Sequence, residues 1–476
     1  MAFAPTQEQE KIVKAAKTLK NLRIQAYAGA GKSSTLRLIA QALPKHRGIY
    51  LTFNKALALE AQEFFPDTVQ CSTVHSLAFR ALRPKIASSP KEFVVTTIEP
   101  ILKDFPSSIR SKFAWAVHYS LTKFCYSDYQ EVDEDCLYNS GLYEEMDDLA
   151  SWWTHNTTPS EDQDVEKEVR AVILLAVKQA WHNINLKCDT KVTHDIYLKQ
   201  FEIGLQEGDI SCDYVCLDEA QDSSDVIISI VRKIGKPSFI VGDSFQQIYE
   251  WRGAKNALEK VEGVNLFLSK SFRFGPELAN FASDMLGLTE HRIEGHGTTG
   301  ISHAAGGTVD AVIARTNKAV FDAASSAHKA GLPARMPHAM AIRNDFEKLC
   351  NFMSRKTDRY CGFTDPNDLL DRIKKDPQTI SNGWMLQYLN EPGSFMRMLE
   401  TLAKATKGTM YSTAHRAKGM EWDKVYVDVA SWLECKSSQE EDLRTLYVAV
   451  TRAKKHLFIN VPKEDVVAWS GGLRGV

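Results

Sequence analysis

Short apolar runs rich in β-branched residues recur along the chain, each bounded by polar turns. They fall at Leu22–Gln25, Gly48–Phe53, Val69–Ser72, Tyr214–Leu217, Ser238–Val241 and Asn265–Leu268. Stretches with helical spacing of apolar residues lie between them, and this alternation predicts a parallel sheet covered by helices on both faces. The rhythm breaks between about 90 and 190, where Val165–Ile184 has helical periodicity and an acidic run extends from Glu131 to Asp148. That block reads as a helical insertion with the acidic run as a solvated face; a docking surface for a protein partner is the alternative. A second set of strand signals, Val309–Ala314, Thr409–Thr413, Lys424–Val429 and His456–Val461, predicts a second α/β domain. Residues from about 325 to 405 interrupt it with another mostly helical insertion. Gly295–Gly307, rich in Gly, Ser, Thr and His, reads as a mobile loop. The predicted fold class is therefore α/β, with two parallel-sheet domains that each carry a mainly helical insertion.

Composition narrows the partners rather than the fold. The 476 residues suffice for about three or four domains or subdomains. A net charge of −2 means that any nucleic acid must be gripped by local basic patches. None of the nine cysteines forms a CxxC pair, and Cys188, His194, Cys212 and Cys216 match no usual zinc spacing, so reduced thiols are expected. No run approaches the ~18 apolar residues of a membrane span, and no signal-peptide pattern opens the chain. A cytoplasmic or nuclear protein, not a secreted one, is the expectation.

Two runs carry the chemistry. Ala26-Tyr27-Ala28-Gly29-Ala30-Gly31-Lys32-Ser33 joins a predicted buried strand to the helical stretch Lys32–Leu43, with Ser34 next in line. Such a turn points backbone N–H groups inward at the positive end of a helix dipole. Lys32 is placed to reach the β/γ-phosphates of a nucleotide, and the Ser33 hydroxyl to sit on Mg²⁺. The strict pattern has Gly where this chain has Ala26. The second run, Leu217-Asp218-Glu219-Ala220-Gln221-Asp222, ends another buried strand on adjacent carboxylates. Asp218 suits Mg²⁺, and Glu219 suits orienting and deprotonating the attacking water. Together the runs predict a nucleoside triphosphatase that uses ATP and Mg²⁺.

With these in place the remaining motifs fall into a recognisable order. The chain resembles the superfamily 1 DNA helicases of the UvrD/Rep branch, and within that branch it most resembles the helicase core of the F-box DNA helicases. The resemblance runs from Pro5 to Leu457 and covers the two insertions only weakly. Pro5-Thr6-Gln7-Glu8-Gln9 is similar to the Q-motif, in which Gln9 reads adenine, although Thr6 is equally a helix cap. Leu51–Ala56 and Ser72–Ser76 are similar to two DNA-contacting motifs: Phe53 and Asn54 lie in the first, Thr73, His75 and Ser76 in the second. Val241–Ala254 is similar to the segment in which Gln246 senses the γ-phosphate and Tyr249, Trp251 and Arg252 lie toward DNA. Ser271-Phe272-Arg273-Phe274 implies an arginine finger at Arg273 and adenine stacking by Phe272, where relatives usually have Tyr. Thr413–Glu421 implies a ribose contact from Glu421 and DNA contacts from His415 and Arg416, and Leu446–Ala453 a second finger at Arg452. Thr193–Lys199 is similar to a stretch of the F-box helicases and otherwise reads as a Thr-capped helix.

The resemblance implies a RecA-like ATPase domain 1A from 1–89 and 191–266, a helical insertion 1B at 90–190, a RecA-like domain 2A from 267–324 and 406–476, and a reduced insertion 2B at 325–405. It implies an ATP-dependent translocase and helicase on single-stranded DNA and its junctions with duplex, moving 3′→5′ and functional as a monomer. Such cores serve DNA repair, recombination, mobile elements and antiviral defence. An F-box, a ubiquitin-ligase role and a C-terminal nuclease are not expected. Two alternatives stay open: a translocase that strips proteins with little unwinding, and a nucleotide-gated binding or signalling subunit.

Overall fold

A computed structural model describes residues 4–138, 149–151, 153–154, 164–186, 190–250, 253–303, 308–357, 360–361, 365–375, 383–433 and 439–473. The chain divides into two compact units. The first comprises residues 1–26 and 32–268, and the second residues 27–31 and 269–476.

The first unit is built on a six-stranded sheet in which every pairing is parallel. Its strands are β1 (Leu22–Ala26), β2 (Gly48–Thr52), β3 (Val69–Thr73), β4 (Tyr214–Leu217), β5 (Ser238–Gly242) and β6 (Val264–Leu268). They lie in the order β3-β2-β4-β5-β1-β6. Every residue of β2, β4 and β5 is buried, because helices cover both faces of a parallel sheet. These are the apolar runs expected from the sequence, with ends shifted by at most one residue. The order sets β4, β5 and β1 side by side, so the segments after all three emerge at one end of the sheet. Residues between β3 and β4 form mostly helices, including Ser107–Tyr126 and Val165–Leu186. Phe113, Phe124, Ile173 and Val177 from these helices share one hydrophobic core with Leu51, Val74, Leu217 and Ile240 of the sheet region. The acidic run falls partly outside the described residues, at 139–148.

The second unit repeats the plan. Its main sheet contains β9 (Gly300–Ser302), β10 (Ala311–Ala314), β11 (Ala334–Arg335), β12 (Thr409–Thr413), β13 (Trp422–Val427) and β14 (Ala453–Ile459). The order is β11-β12-β10-β13-β14-β9, again all parallel. A small pair, β7 (Lys270–Ser271) and β8 (Glu294–Gly295), stands apart. The reading of 295–307 as a mobile loop is corrected by this topology. Gly300–Ser302 pairs with His456–Phe458 of β14, and Gly295 pairs with Ser271. Residues 304–307 lie outside the described set. Helices Ala339–Met353 and Pro392–Lys404 pack through a cluster of aromatics, with Tyr388 stacked on Phe395 at 4.1 Å and Phe346 edge-on to it at 4.7 Å.

Helix His194–Gly204 occupies the stretch read as Thr-capped, but the Thr193 side chain makes no cap hydrogen bond. Its Lys199 turns fully inward and donates to Glu202 (2.8 Å) and to Ser127 O (3.0 Å), at the end of helix Ser107–Tyr126. Glu202 also receives Ser229 Oγ (2.7 Å), Gln130 Nε2 (2.9 Å) and Lys233 Nζ (2.8 Å). Burial pushes the Glu202 carboxyl up, but these donors outweigh it and hold the group below its usual value. Removing one partner of a buried pair leaves an uncompensated charge. Lys199→Met is therefore expected to cost about 3–5 kcal/mol in urea unfolding, with much of it recovered in Lys199→Met/Glu202→Leu. A loss below about 1 kcal/mol would mean that water reaches the pair.

Candidate functional site

The two runs that the sequence marks as nucleotide chemistry meet at one end of the first sheet. Helix Lys32–Ala42 begins at the lysine itself, so Lys32 and Ser33 occupy its first turn. Ser33 Oγ donates to Asp218 Oδ2 at 2.5 Å, and Lys32 Nζ lies 3.5 Å from Glu219 Oε1. Asp218 follows the last residue of β4 and is almost wholly buried. Its Oδ2 also accepts from Tyr50 Oη (2.7 Å) and its Oδ1 from the Glu219 N–H (2.9 Å). Burial, with the neighbouring charge of Glu219, pushes the Asp218 carboxyl up; Ser33, Lys32 and Tyr50 pull the other way. The same burial, with the Asp218 charge, raises the Tyr50 phenol, which stays a donor. A divalent cation beside Asp218 and Ser33 would relieve this penalty with hard oxygen ligands, so the donor set fits Mg²⁺, which takes few protein ligands.

Glu219 has φ +52° and ψ +42°, a left-handed conformation that costs a non-glycine residue of order 1 kcal/mol. The turn that follows places Gln221 against the Glu219 carboxylate. Gln246 is buried in a short turn after β5 and donates to Asp243 Oδ2 at 2.7 Å. Gln9 completes a capping box with Thr6 and donates to Thr35 Oγ1 at 3.1 Å. Ser34 is exposed at the start of helix Lys32–Ala42.

Residues 27–31 group with the second unit. Gly29 (φ +75°) and Gly31 (φ +78°), separated by Ala30, shape this turn in a region that favours glycine. Ala28 receives Ser271 Oγ on its carbonyl (2.8 Å) and donates its N–H to Tyr447 Oη (3.1 Å). The second unit also contains four of the expected nucleotide residues, from distant parts of the chain. Arg273 Nε lies 2.8 Å from Glu421 Oε2, and Arg273 Nη1 donates to Thr451 O at 3.3 Å. Arg452 is fully buried, donating to Val448 O (2.8 Å), Met420 O (3.2 Å) and Thr451 Oγ1 (3.0 Å). Phe272 is partly exposed and stacks on His296, 6.1 Å between centroids.

The candidate DNA residues divide into exposed and occupied groups. Phe53 is 55% exposed. Asn54 caps helix Lys55–Phe64 through its Oδ1, and Thr73 caps helix Val74–Leu82 while also bonding Ser76 Oγ at 2.8 Å. A recess brings Phe53 and His75 together with Asp218, Glu219 and Asp222. Tyr249 is half-buried, whereas Trp251 and Arg252 lie outside the described residues. His415 Nε2 is 3.5 Å from Glu441 Oε1, and Arg416 is exposed. Among the described residues no helix is long and apolar enough to cross a membrane, and no group of three His, Cys, Asp or Glu residues could hold a metal. Cys188 of the cysteine–histidine set lies outside them. Tyr50 and Tyr447 were missed by sequence reasoning, because a strand or helix tyrosine carries no signal until its partner is known.

The profile of the UvrD/REP helicase N-terminal domain matches residues 5–260, and that of the UvrD-like helicase C-terminal domain matches residues 410–459. The chain belongs to the UvrD/REP helicase family. It is 26% identical to F-box DNA helicase 1 of Gallus gallus over 94% of its own length and 48% of the relative's. It is 26% identical to F-box DNA helicase protein 1 of Schizosaccharomyces pombe (strain 972 / ATCC 24843) over 95% of its length and 57% of the relative's. It thus spans about half the length of these curated relatives. The family implies an ATP-driven DNA helicase, and the paired parallel sheets accord with two RecA-like domains.

Burial, with the charge of His194, pushes the His75 imidazole down to about 4, and burial with Arg416 does the same to His338. Both folded values lie below the unfolded value of 6.5. Their contribution to stability is therefore complete above about pH 6.5 and is lost as pH falls toward 4. His75→Gln is expected to flatten the fall of the urea midpoint between about pH 6.5 and 4.5. An unchanged slope would exclude His75 as a source of the acid sensitivity.

Proposed function

We propose that this chain is an ATP-dependent, Mg²⁺-requiring translocase on single-stranded DNA and a DNA helicase of 3′→5′ polarity. The observation that carries the reading is the convergence of Lys32 and Ser33 on Glu219 and Asp218, more than 180 residues away in sequence. A cation, a hydroxyl and two carboxylates in that arrangement are what γ-phosphoryl transfer to water requires. Lys32 neutralises the β/γ-phosphates, Glu219 orients the attacking water and takes its proton, and Gln246 senses the γ-phosphate. Ser33 Oγ and Asp218 would hold Mg²⁺, which when bound would supply charge neutralisation on the phosphate oxygens. Arg273 and Arg452 act on the transferring phosphoryl, while Glu421, Phe272 and Gln9 bind the nucleoside.

DNA contacts fall to Phe53, Asn54, Thr73, His75, Ser76, Tyr249, Trp251, Arg252, His415 and Arg416. The 55% exposure of Phe53 suits base stacking, which tolerates any sequence. His75, neutral at physiological pH, offers a hydrogen bond to a phosphate and not a charge pair. Polarity, the division into 1A, 1B, 2A and 2B, and a cytoplasmic or nuclear setting rest on the family resemblance. So does a role in repair or recombination, since the chain matches only half of its curated relatives.

Steady-state ATPase with and without single-stranded DNA tests the reading. The wild type is expected to be strongly stimulated by DNA. Lys32→Ala and Glu219→Gln are expected to lose about 10²-fold or more of that turnover, with Glu219→Gln still binding ATP. Phe53→Ala and Trp251→Ala are expected to raise the DNA concentration for half-stimulation by about tenfold, the worth of a lost stack. Appreciable turnover in Glu219→Gln would refute the assigned base. Equal wild-type turnover with and without DNA would favour a nucleotide-gated binding subunit instead.

A further inference from the structure

Glu219 has the task of a general base, and its carboxylate is held on two sides. Oε1 faces Lys32 Nζ at 3.5 Å, and Oε2 receives Gln221 Nε2 at 2.6 Å. Gln221 is fully buried in the turn Ala220–Asp222. Its other amide atom, Oε1, accepts the Asp243 N–H at 2.9 Å. Asp243 opens the turn that carries Gln246. Its Oδ2 accepts from Gln246 Nε2 at 2.7 Å, and its Oδ1 from Gln25 Nε2 at 3.2 Å. One continuous path of hydrogen bonds therefore runs Glu219–Gln221–Asp243–Gln246. Gly242 makes room for it, since a Cβ there would stand 2.7 Å from Gln221 Oε1.

We infer that Gln221 is a positioning residue that sets the Glu219 carboxylate and ties it to the Asp243–Gln246 turn, so that the base is aligned only when that turn is in place. The inference rests on the ATPase reading above and adds a residue to it. The chemistry selects glutamine. A single side chain must donate to a carboxylate and accept from a backbone N–H at once, and a neutral amide does both. Methionine cannot donate and accepts only weakly, and an ionised glutamate would accept from Asp243 while setting a like charge against Glu219. The left-handed backbone of Glu219 gives the arrangement its purpose. A carboxylate on a strained residue that follows a buried strand needs an outside anchor to hold one rotamer.

Three variants of the full chain, assayed for DNA-stimulated ATPase, test this. Gln221→Met is expected to lower kcat by roughly 10- to 100-fold while KM and binding of a fluorescent ATP analogue change by less than about threefold, since a base that is present but misaligned costs turnover and not affinity. Gln221→Glu is expected to match Gln221→Met at pH 8.5 and to recover relative to it as pH falls to 6. Two adjacent carboxyls then share a proton, and the protonated one regains the donor. Gln221→Met/Glu219→Gln is expected to be no slower than Glu219→Gln alone, because the two residues act as a unit. A Gln221→Met kcat within about threefold of wild type, or a Gln221→Glu to Gln221→Met ratio that is flat in pH, overturns the positioning role and leaves the ATPase reading standing. Absence of wild-type turnover overturns both. A misfolded Gln221→Met would lose nucleotide binding, and the recovery of Gln221→Glu relative to wild type as pH falls from 8.5 to 6 then decides the question.

Discussion

The negative charge of Asp218 at the end of a fully buried strand is the constraint on which the first unit depends. A carboxylate in that position is penalised by desolvation and by Glu219 beside it. The fold offsets part of that cost with three donors: Ser33 Oγ, Tyr50 Oη and the Glu219 N–H. Each comes from a different place in the chain, so the aspartate pins the first turn of helix Lys32–Ala42, strand β2 and the turn after β4 to one point. What the donors leave uncompensated is a demand for positive charge, which a divalent cation would answer. Burial would thus turn a structural burden into a binding determinant, and it accounts for Tyr50, in the middle of β2, turning its hydroxyl to Asp218.

Strand order does the rest of the positioning. Because β5 lies between β4 and β1, the segments after these strands are forced together without any long-range side-chain code. Gln221 spans from the end of β4 to the Asp243 backbone that follows β5 because those ends are neighbours. Gln25 of β1 reaches Asp243 from the other side. Three strand ends are in this way laced by amides that carry no charge, beneath a surface where the charged groups meet.

This explains which features were legible in the sequence. Strands such as β2, β4 and β5 show themselves as continuous apolar runs because both faces are covered. The two-residue β11 and three-residue β9 cannot, since their partners supply the pairing and their composition is that of a loop; Gly300–Ser302 sits in a stretch of Gly, Ser, Thr and His. Lys32, Asp218 and Glu219 stand out because phosphate chemistry demands those residue types at fixed offsets. Gln221 lies inside the same run but carries no signal there, since an amide does not titrate, and its second partner is a backbone N–H 22 residues on. Arg273 and Glu421 were each expected at the nucleotide on separate grounds, but their 2.8 Å contact is a product of the fold alone.

That contact separates two kinds of arginine. Arg452 is sunk in the unit and held by the Val448 and Met420 carbonyls and the Thr451 hydroxyl, which orient a guanidinium without cancelling its charge. Arg273 instead rests on a carboxylate that is 44% exposed at the side chain. Solvent weakens such a pair, so exchanging Glu421 for a phosphate costs Arg273 little. In the proposed roles, Arg452 would therefore act from a fixed position, whereas Arg273 would have to change partners. The side chain that would have to move is the one whose present partner is accessible to water, which suits an exchange between protein and ligand contacts.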